Sequence, residues 1–123
     1  MRINIYNTTD RQRIDRPSIR RLVKKVLKDE RKDLPAVNII IADGRYLRRL
    51  NEIFLNRKRT TNVISFNLGE VSEIYLCDKM ARDSYELNYY IVHGLLHLLG
   101  YDHRNKREGA DMHRKCAEYL SNE

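Results

Sequence analysis

Val37-Asn38-Ile39-Ile40-Ile41-Ala42 is a short run with one polar residue, and it follows directly on the break at Pro35. Such a run reads as a buried strand over 37–42. Upstream, Pro17 suits the first turn of a helix. Ile19, Leu22, Val23, Val26 and Leu27 then fall on one helical face, with Arg20, Arg21, Lys24, Lys25 and Lys28 on the other, so residues 18–31 are predicted helical. RINIY at 2–6 alternates polar and apolar and predicts a strand. A strand, a helix and a buried strand make a β-α-β unit, whose crossover is right-handed if the strands are parallel.

Downstream, Asp43 is a good N-cap for a helix with an apolar stripe of Tyr46, Leu47, Leu50, Ile53 and Phe54. TNVISFN (61–67) reads as a strand, Leu68-Gly69-Glu70 as a turn and Glu73–Cys77 as the returning strand. Asp78 or Asp83 caps a helix running through Tyr90 to Leu99, and Gly100 suits its left-handed stop. A last helix covers 105–121. Two prolines and five glycines leave no linker. The expectation is therefore an α+β fold in βαβαββαα order: a single small domain, 1–123, with a mixed four-stranded sheet packed with helices.

Hydrophobic residues make up 41% of the chain, too many for whole-chain disorder. No apolar run reaches the ~20 residues of a membrane span, and MRINIYNTTDRQR carries no apolar signal segment, so a cytoplasmic protein with no membrane partner is expected. Cys77 and Cys116 have no familiar ligand spacing and are expected as reduced, partly buried thiols. The formal charge of +7 favours an acidic partner, nucleic acid first. Lys and Arg concentrate from Arg11 to Lys32, and again in Arg45, Arg48, Arg49, Arg57, Lys58 and Arg59. The second cluster, just ahead of the 61–67 strand, is the better RNA-binding candidate; the first also reads as a solvated helix face.

Three of the four histidines fall in HGLLHLLGYDH (93–103). On a helix His93 and His97 stack one turn apart on one face. Gly100 permits a sharp backbone turn that can bring His103 back as a third ligand. Three imidazoles with a fourth position open to water form the pattern of a catalytic zinc site, one ion per chain, although other transition metals also accept imidazole. A closed structural site would need a fourth donor, for which Cys77, Cys116 and His113 are the candidates; His113, among charged residues, otherwise reads as solvated surface. Asp102 admits two readings, a carboxylate that orients a ligating imidazole without touching the metal, or a cap for the last helix. Tyr101 reads as packing against the helix end.

The H-x3-H-x5-H spacing is also that of metzincin proteases, in which Glu follows the first histidine as general base. Here that position is Gly94, which cannot take a proton. A phosphodiester substrate fits better: zinc can produce hydroxide near neutral pH or polarise a phosphoryl oxygen while a ribose hydroxyl attacks, and basic residues neutralise the backbone.

HGLLHLLGYDH resembles the signature of the YbeY family, bacterial metal-dependent endoribonucleases of ribosomal RNA maturation and ribosome quality control. LNEIF (50–54), TNVISF (61–66) and SEIYLC (72–77) are similar to its other stretches. The resemblance implies an α+β fold, His93, His97 and His103 as zinc ligands, and single-stranded RNA near the 3′ end of small-subunit (16S) ribosomal RNA as substrate. It implies the small ribosomal subunit as partner, with no DNA expected. Asn62 and Ser65 carry over as pocket lining, although strand packing is the stronger reading of Ser65. Leu55 stands where the family carries an arginine thought to face the active site, and Thr60 where proline is usual. Arg57 or Arg59 is then the candidate catalytic substitute for that arginine. Two alternatives follow from the residues: a ribosome-assembly or RNA-binding factor with a structural metal, and a metalloprotease-like zinc hydrolase on a non-nucleic substrate.

Overall fold

The apolar run after Pro35 forms an interior strand. In the computed structural model, which describes residues 1–9, 13–55, 61–79, 82–101 and 106–121, the elements follow in the predicted order. They are β1 (Arg2–Asn7), α1 (Arg16–Asp29), β2 (Ala36–Ala42), α2 (Gly44–Phe54), β3 (Val63–Asn67), β4 (Ser72–Cys77), α3 (Ser84–Leu98) and α4 (Lys106–Ser121). The sheet order is β1-β2-β4-β3. β2 pairs in parallel with β1 and β4, while β3 returns antiparallel along β4. The sheet is mixed, as expected, and the fold is α+β.

The period of two along each strand divides the side chains between two layers. Ile3, Ile5, Val37, Ile39, Ile41, Ile74 and Leu76 face α1, α3 and α4 in the main core. Register aligns them across the sheet, with Ile5 opposite Ile39 and Ile39 opposite Ile74. The alternate positions Ala42, Ile64 and Cys77 meet Leu47 and Leu50 of α2 in a smaller cluster on the other face. The five predicted apolar residues of α1 are all buried.

The stripe predicted for α2 is only half buried. Leu47 and Leu50 reach the sheet, whereas Tyr46, Ile53 and Phe54 remain 46%, 66% and 63% exposed. Helix α2 packs mainly on β3 and β4 at one side of the sheet, so a single row of its side chains finds cover. The outer side chains form an aromatic row instead: ring centroids lie 5.9 Å apart for Tyr46–Tyr75, 5.9 Å for Tyr75–Phe66 and 5.5 Å for Phe66–Phe54.

The helix ends follow their capping residues. The Asp15, Asp43 and Asp83 carboxylates accept from the backbone N–H of Ser18, Tyr46 and Glu86; of the two candidates for α3, Asp83 is the cap. At the other end of α3, Gly100 adopts φ +105°. The Gly100 N–H donates to the His97 carbonyl at 3.1 Å, and the Tyr101 N–H to Leu96 at 2.9 Å. These two bonds make a Schellman motif. No helix among the described residues is long and apolar enough to cross a membrane. Cys77 and Cys116 are free and buried, one in each core cluster.

Helix α3 crosses β3 and β4 at Gly94. A β-carbon there would lie 2.7 Å from Ile74 Cγ2, 3.0 Å from Ser65 Oγ and 3.3 Å from Val63 Cγ2. The Ser65 hydroxyl donates to the Gly94 carbonyl at 3.0 Å, fixing the crossing. Alanine would gain roughly 1 kcal/mol of helix propensity. Overpacking against Ile74, which is wholly buried, costs about 1–3 kcal/mol and decides the sign. Gly94→Ala is expected to destabilise the fold by about 1 kcal/mol, measured as a lower denaturant midpoint at unchanged slope.

Glu30, the C-cap of α1, ties three elements together. Its side chain is 8% exposed. It accepts from Tyr101 Oη at 2.6 Å, from Lys115 Nζ at 2.8 Å and from Tyr119 Oη. Burial alone would raise this carboxyl, but the hydrogen bonds from Lys115, Tyr101 and Tyr119 prevail and hold it below its ordinary 4.5. A depressed carboxylate contributes stability that is complete above its unfolded value and is lost as pH falls through the folded one. Glu30→Gln is expected to lower stability by about 2 kcal/mol at neutral pH. In paired melts against pH, that gap persists down to 4.5 and closes below it.

Candidate metal centre

His93 and His97 occupy successive turns of α3, on a side that the sheet contact leaves open. Gly94, between them in sequence, is pressed onto β3 and β4, and Leu95 and Leu96 are buried in the main core. Both imidazoles are half-buried. Their ring centroids are 4.8 Å apart with an interplanar angle of 67°. Two imidazoles sharing one ion at ~2.0–2.1 Å in tetrahedral geometry have centroids roughly 5 Å apart. The observed pair therefore fits a shared transition-metal ion. His97 sits in the last turn of α3, where the negative end of the helix dipole favours a cation.

Among the described residues, no three His, Cys, Asp or Glu side chains converge as a metal set. The predicted third ligand, His103, lies outside the described residues, as do Asp102, Arg57, Lys58 and Arg59. The Schellman turn at Gly100 is the described part of the path toward His103.

The candidate fourth donors fare differently. Cys77 belongs to the cluster under α2, across the sheet from α3. Burial pushes the Cys116 thiol up to about 12, away from the thiolate a metal requires. His113 is exposed, as expected of a surface residue, but it is not merely solvated: its Nδ1 is 2.5 Å from Tyr89 Oη. The Tyr89 ring in turn stacks on His93 at 6.4 Å and 28°. Burial, followed by the neighbouring Cys116, Tyr90 and Tyr85, pushes the Tyr89 phenol up.

Asn62 and Ser65 both face α3. Asn62 Nδ2 donates to Tyr90 Oη at 2.6 Å, one helical turn before His93. Ser65 gives its hydroxyl to the Gly94 carbonyl, so its evident role is to hold the helix. Arg45, Arg48 and Arg49 are exposed on α2, in the layer across the sheet from α3, and Arg48 pairs with Glu52 at 3.4 Å. Leu55 is the C-cap of α2 and is 44% exposed.

Sequence reasoning missed Glu30 and left the roles of Tyr89 and Tyr90 open. One signal existed for Glu30: a carboxylate at a helix C-terminus opposes the dipole and calls for a compensating partner. Tyr85 and Tyr89 continue the four-residue spacing of His93 and His97, whereas Tyr90 falls off that row.

Residues 4–122 match the family described as Endoribonuclease YbeY. The Endoribonuclease YbeY of Syntrophus aciditrophicus (strain SB) is 35% identical, over 96% of this chain and 87% of its own. That of Petrotoga mobilis is 33% identical, over 89% of this chain and 86% of its own. The solution structure of TM1509 from Thermotoga maritima superposes with a TM-score of 0.60 at 25% identity, covering 98% of this chain and 89% of that one. The chain belongs to the Endoribonuclease YbeY family.

Proposed function

We propose that this protein is a zinc-dependent endoribonuclease of single-stranded RNA. Its substrate on this reading is the precursor of small-subunit (16S) ribosomal RNA near its 3′ end. It works in the cytoplasm with the small ribosomal subunit, in ribosomal RNA maturation and ribosome quality control, and neither DNA nor a membrane is a partner. The observation that carries the reading is the imidazole pair of His93 and His97, 4.8 Å apart at the C-terminal end of α3. His103 follows just past a helix stop whose hydrogen bonds return to that same last turn.

His93, His97 and His103 would hold the ion. Zinc in such a set supplies Lewis acidity toward a phosphoryl oxygen and activates a nucleophile near neutral pH. The chain's own residues orient the ligands: Gly94 lets α3 lie against the sheet, and Ser65 and Asn62 fix it there. The basic run Arg57-Lys58-Arg59 precedes Asn62, which touches α3 one turn before His93. On this reading the run, which joins α2 to the strand that Asn62 precedes, supplies phosphate contacts, with Arg57 or Arg59 serving in place of the arginine that Leu55 replaces.

The surroundings of Gly94 count against a peptidase, since even a methyl group there meets Ile74 at 2.7 Å. A second reading, an RNA-binding assembly factor with a structural metal, draws on Leu55. This apolar side chain is 44% exposed and cannot stabilise phosphate charge.

Elemental analysis and single-stranded RNA cleavage on the same samples test the leading reading. Wild type is expected to hold one zinc per chain and to cleave. His97→Ala is expected to lose both while keeping its far-UV circular dichroism. Zinc without cleavage would favour the assembly factor, and no zinc in wild type would end the metal reading. In RNA-binding titrations, reversing both Arg57 and Arg59 to Glu is expected to reduce the slope of log affinity on log salt by about 1.4, the value for two phosphate contacts to a single strand. Reversing Arg45 and Arg49 is expected to change it less; equal effects would move the RNA path onto α2.

A further inference from the structure

Tyr85, Tyr89, His93 and His97 stand four residues apart along α3. Side chains at that spacing form one ridge of a helix. The ridge therefore carries aromatic rings up to the imidazole pair. Tyr89 stacks on His93, with ring centroids 6.4 Å apart and an interplanar angle of 28°. Tyr85, one turn earlier, is 59% exposed. Aromatic side chains left accessible in a row are what single-strand nucleic-acid sites use to stack successive bases.

The Tyr89 ring is also held by neighbours besides His93. Tyr90 meets it edge-on, at 5.6 Å and 88°. His113 of α4 lies tilted beside it at 5.6 Å, with Nδ1 2.5 Å from the Tyr89 hydroxyl. Tyr90 in turn accepts the hydrogen bond from Asn62. The ridge thus continues the surroundings of the imidazole pair, with a fixed ring next to the pair and an exposed ring beyond it.

The charge beside the ridge suits a polyanion. His113 and Arg114 are exposed on α4. Lys106 and Arg107 lie seven residues before them, two turns along the same face, and are exposed as well. Asp111 offsets Arg114 through an ion pair at 2.7 Å, so the added positive charge comes from Lys106 and Arg107. These charges would also draw an acidic peptide. Only a nucleic acid would in addition present a flat π-face to each ring.

We propose that Tyr89 and Tyr85 form a base-stacking track for single-stranded RNA, taking the bases that flank the phosphate at the imidazole pair. The inference rests on the RNA reading above and adds the bases as recognised groups, where that reading invoked phosphates alone. Stacking accepts any base, so the track sets where the strand lies rather than which sequence it has.

Binding of a fluorescein-labelled 2′-O-methyl oligoribonucleotide to the protein as purified, read by anisotropy, tests the track without a cleavage step. Tyr85→Leu and Tyr89→Leu are each expected to weaken binding about tenfold, within the range for losing one stacked base. Tyr89→Phe keeps the ring and is expected to bind like wild type. So is Tyr46→Leu, whose ring belongs to the row on the α2 layer. On an abasic strand of the same length, wild type and all these variants are expected to bind alike. Because Tyr85 is exposed, Tyr85→Leu decides the matter even if Tyr89→Leu loses its fold. Undiminished binding by Tyr85→Leu would overturn the inference, as would the same loss on the abasic strand or the same loss from Tyr46→Leu. A wild-type dimer that Tyr85→Leu dissolves would make the ridge a contact between copies and overturn it too. Each of these results leaves the RNA reading standing. A wild type that binds neither strand would overturn the RNA reading, and this inference with it.

Discussion

Helix α3 rests on β3 and β4 with no side chain of its own at the crossing point. Ile74, Ser65 and Val63 fill the space a β-carbon would occupy at Gly94, and the Ser65 hydroxyl bonds to the helix backbone. Much else depends on that contact. It sets how α3 is rotated, and so which side chains go into the core and which stay accessible. Leu87, Ile91 and Leu95 are buried, while His93 and His97 are left half-buried on another side. The glycine that denies the site a protease-like base is the same one that seats the helix carrying the histidines.

Much of this architecture is legible in local pattern. The α1 stripe, the apolar run of β2 and the Gly69 turn are each decided within a few residues, and local signals are reliable there. The burial of α2 was not legible. Its stripe is strongly amphipathic, but how much of it is covered depends on where the helix lies on the sheet, which no local pattern states. The His93–His97 pairing follows from helical spacing alone. By contrast, the anchorage of Tyr101 by Glu30 joins residues 71 apart in sequence, and only the assembled fold brings them together.

The basic charge divides along the same layers. The α2 arginines lie across the sheet from α3, beside an aromatic row running from Tyr46 to Phe54. Read along the sequence, Arg45 to Arg59 looks like one cluster. In space, the described half of it belongs to the layer opposite the histidines.

The two cysteines sit on either side of that partition. Cys77 is sealed beneath α2 and Cys116 within the main core, each at most 1% exposed. Neither thiol meets solvent in the native state, so reaction with a thiol reagent requires a layer to open. Modification at Cys77 would report the lifting of α2 alone, and modification at Cys116 the loosening of the core that supports the histidine helix. The chain thus carries one native probe of local opening on each side of its sheet.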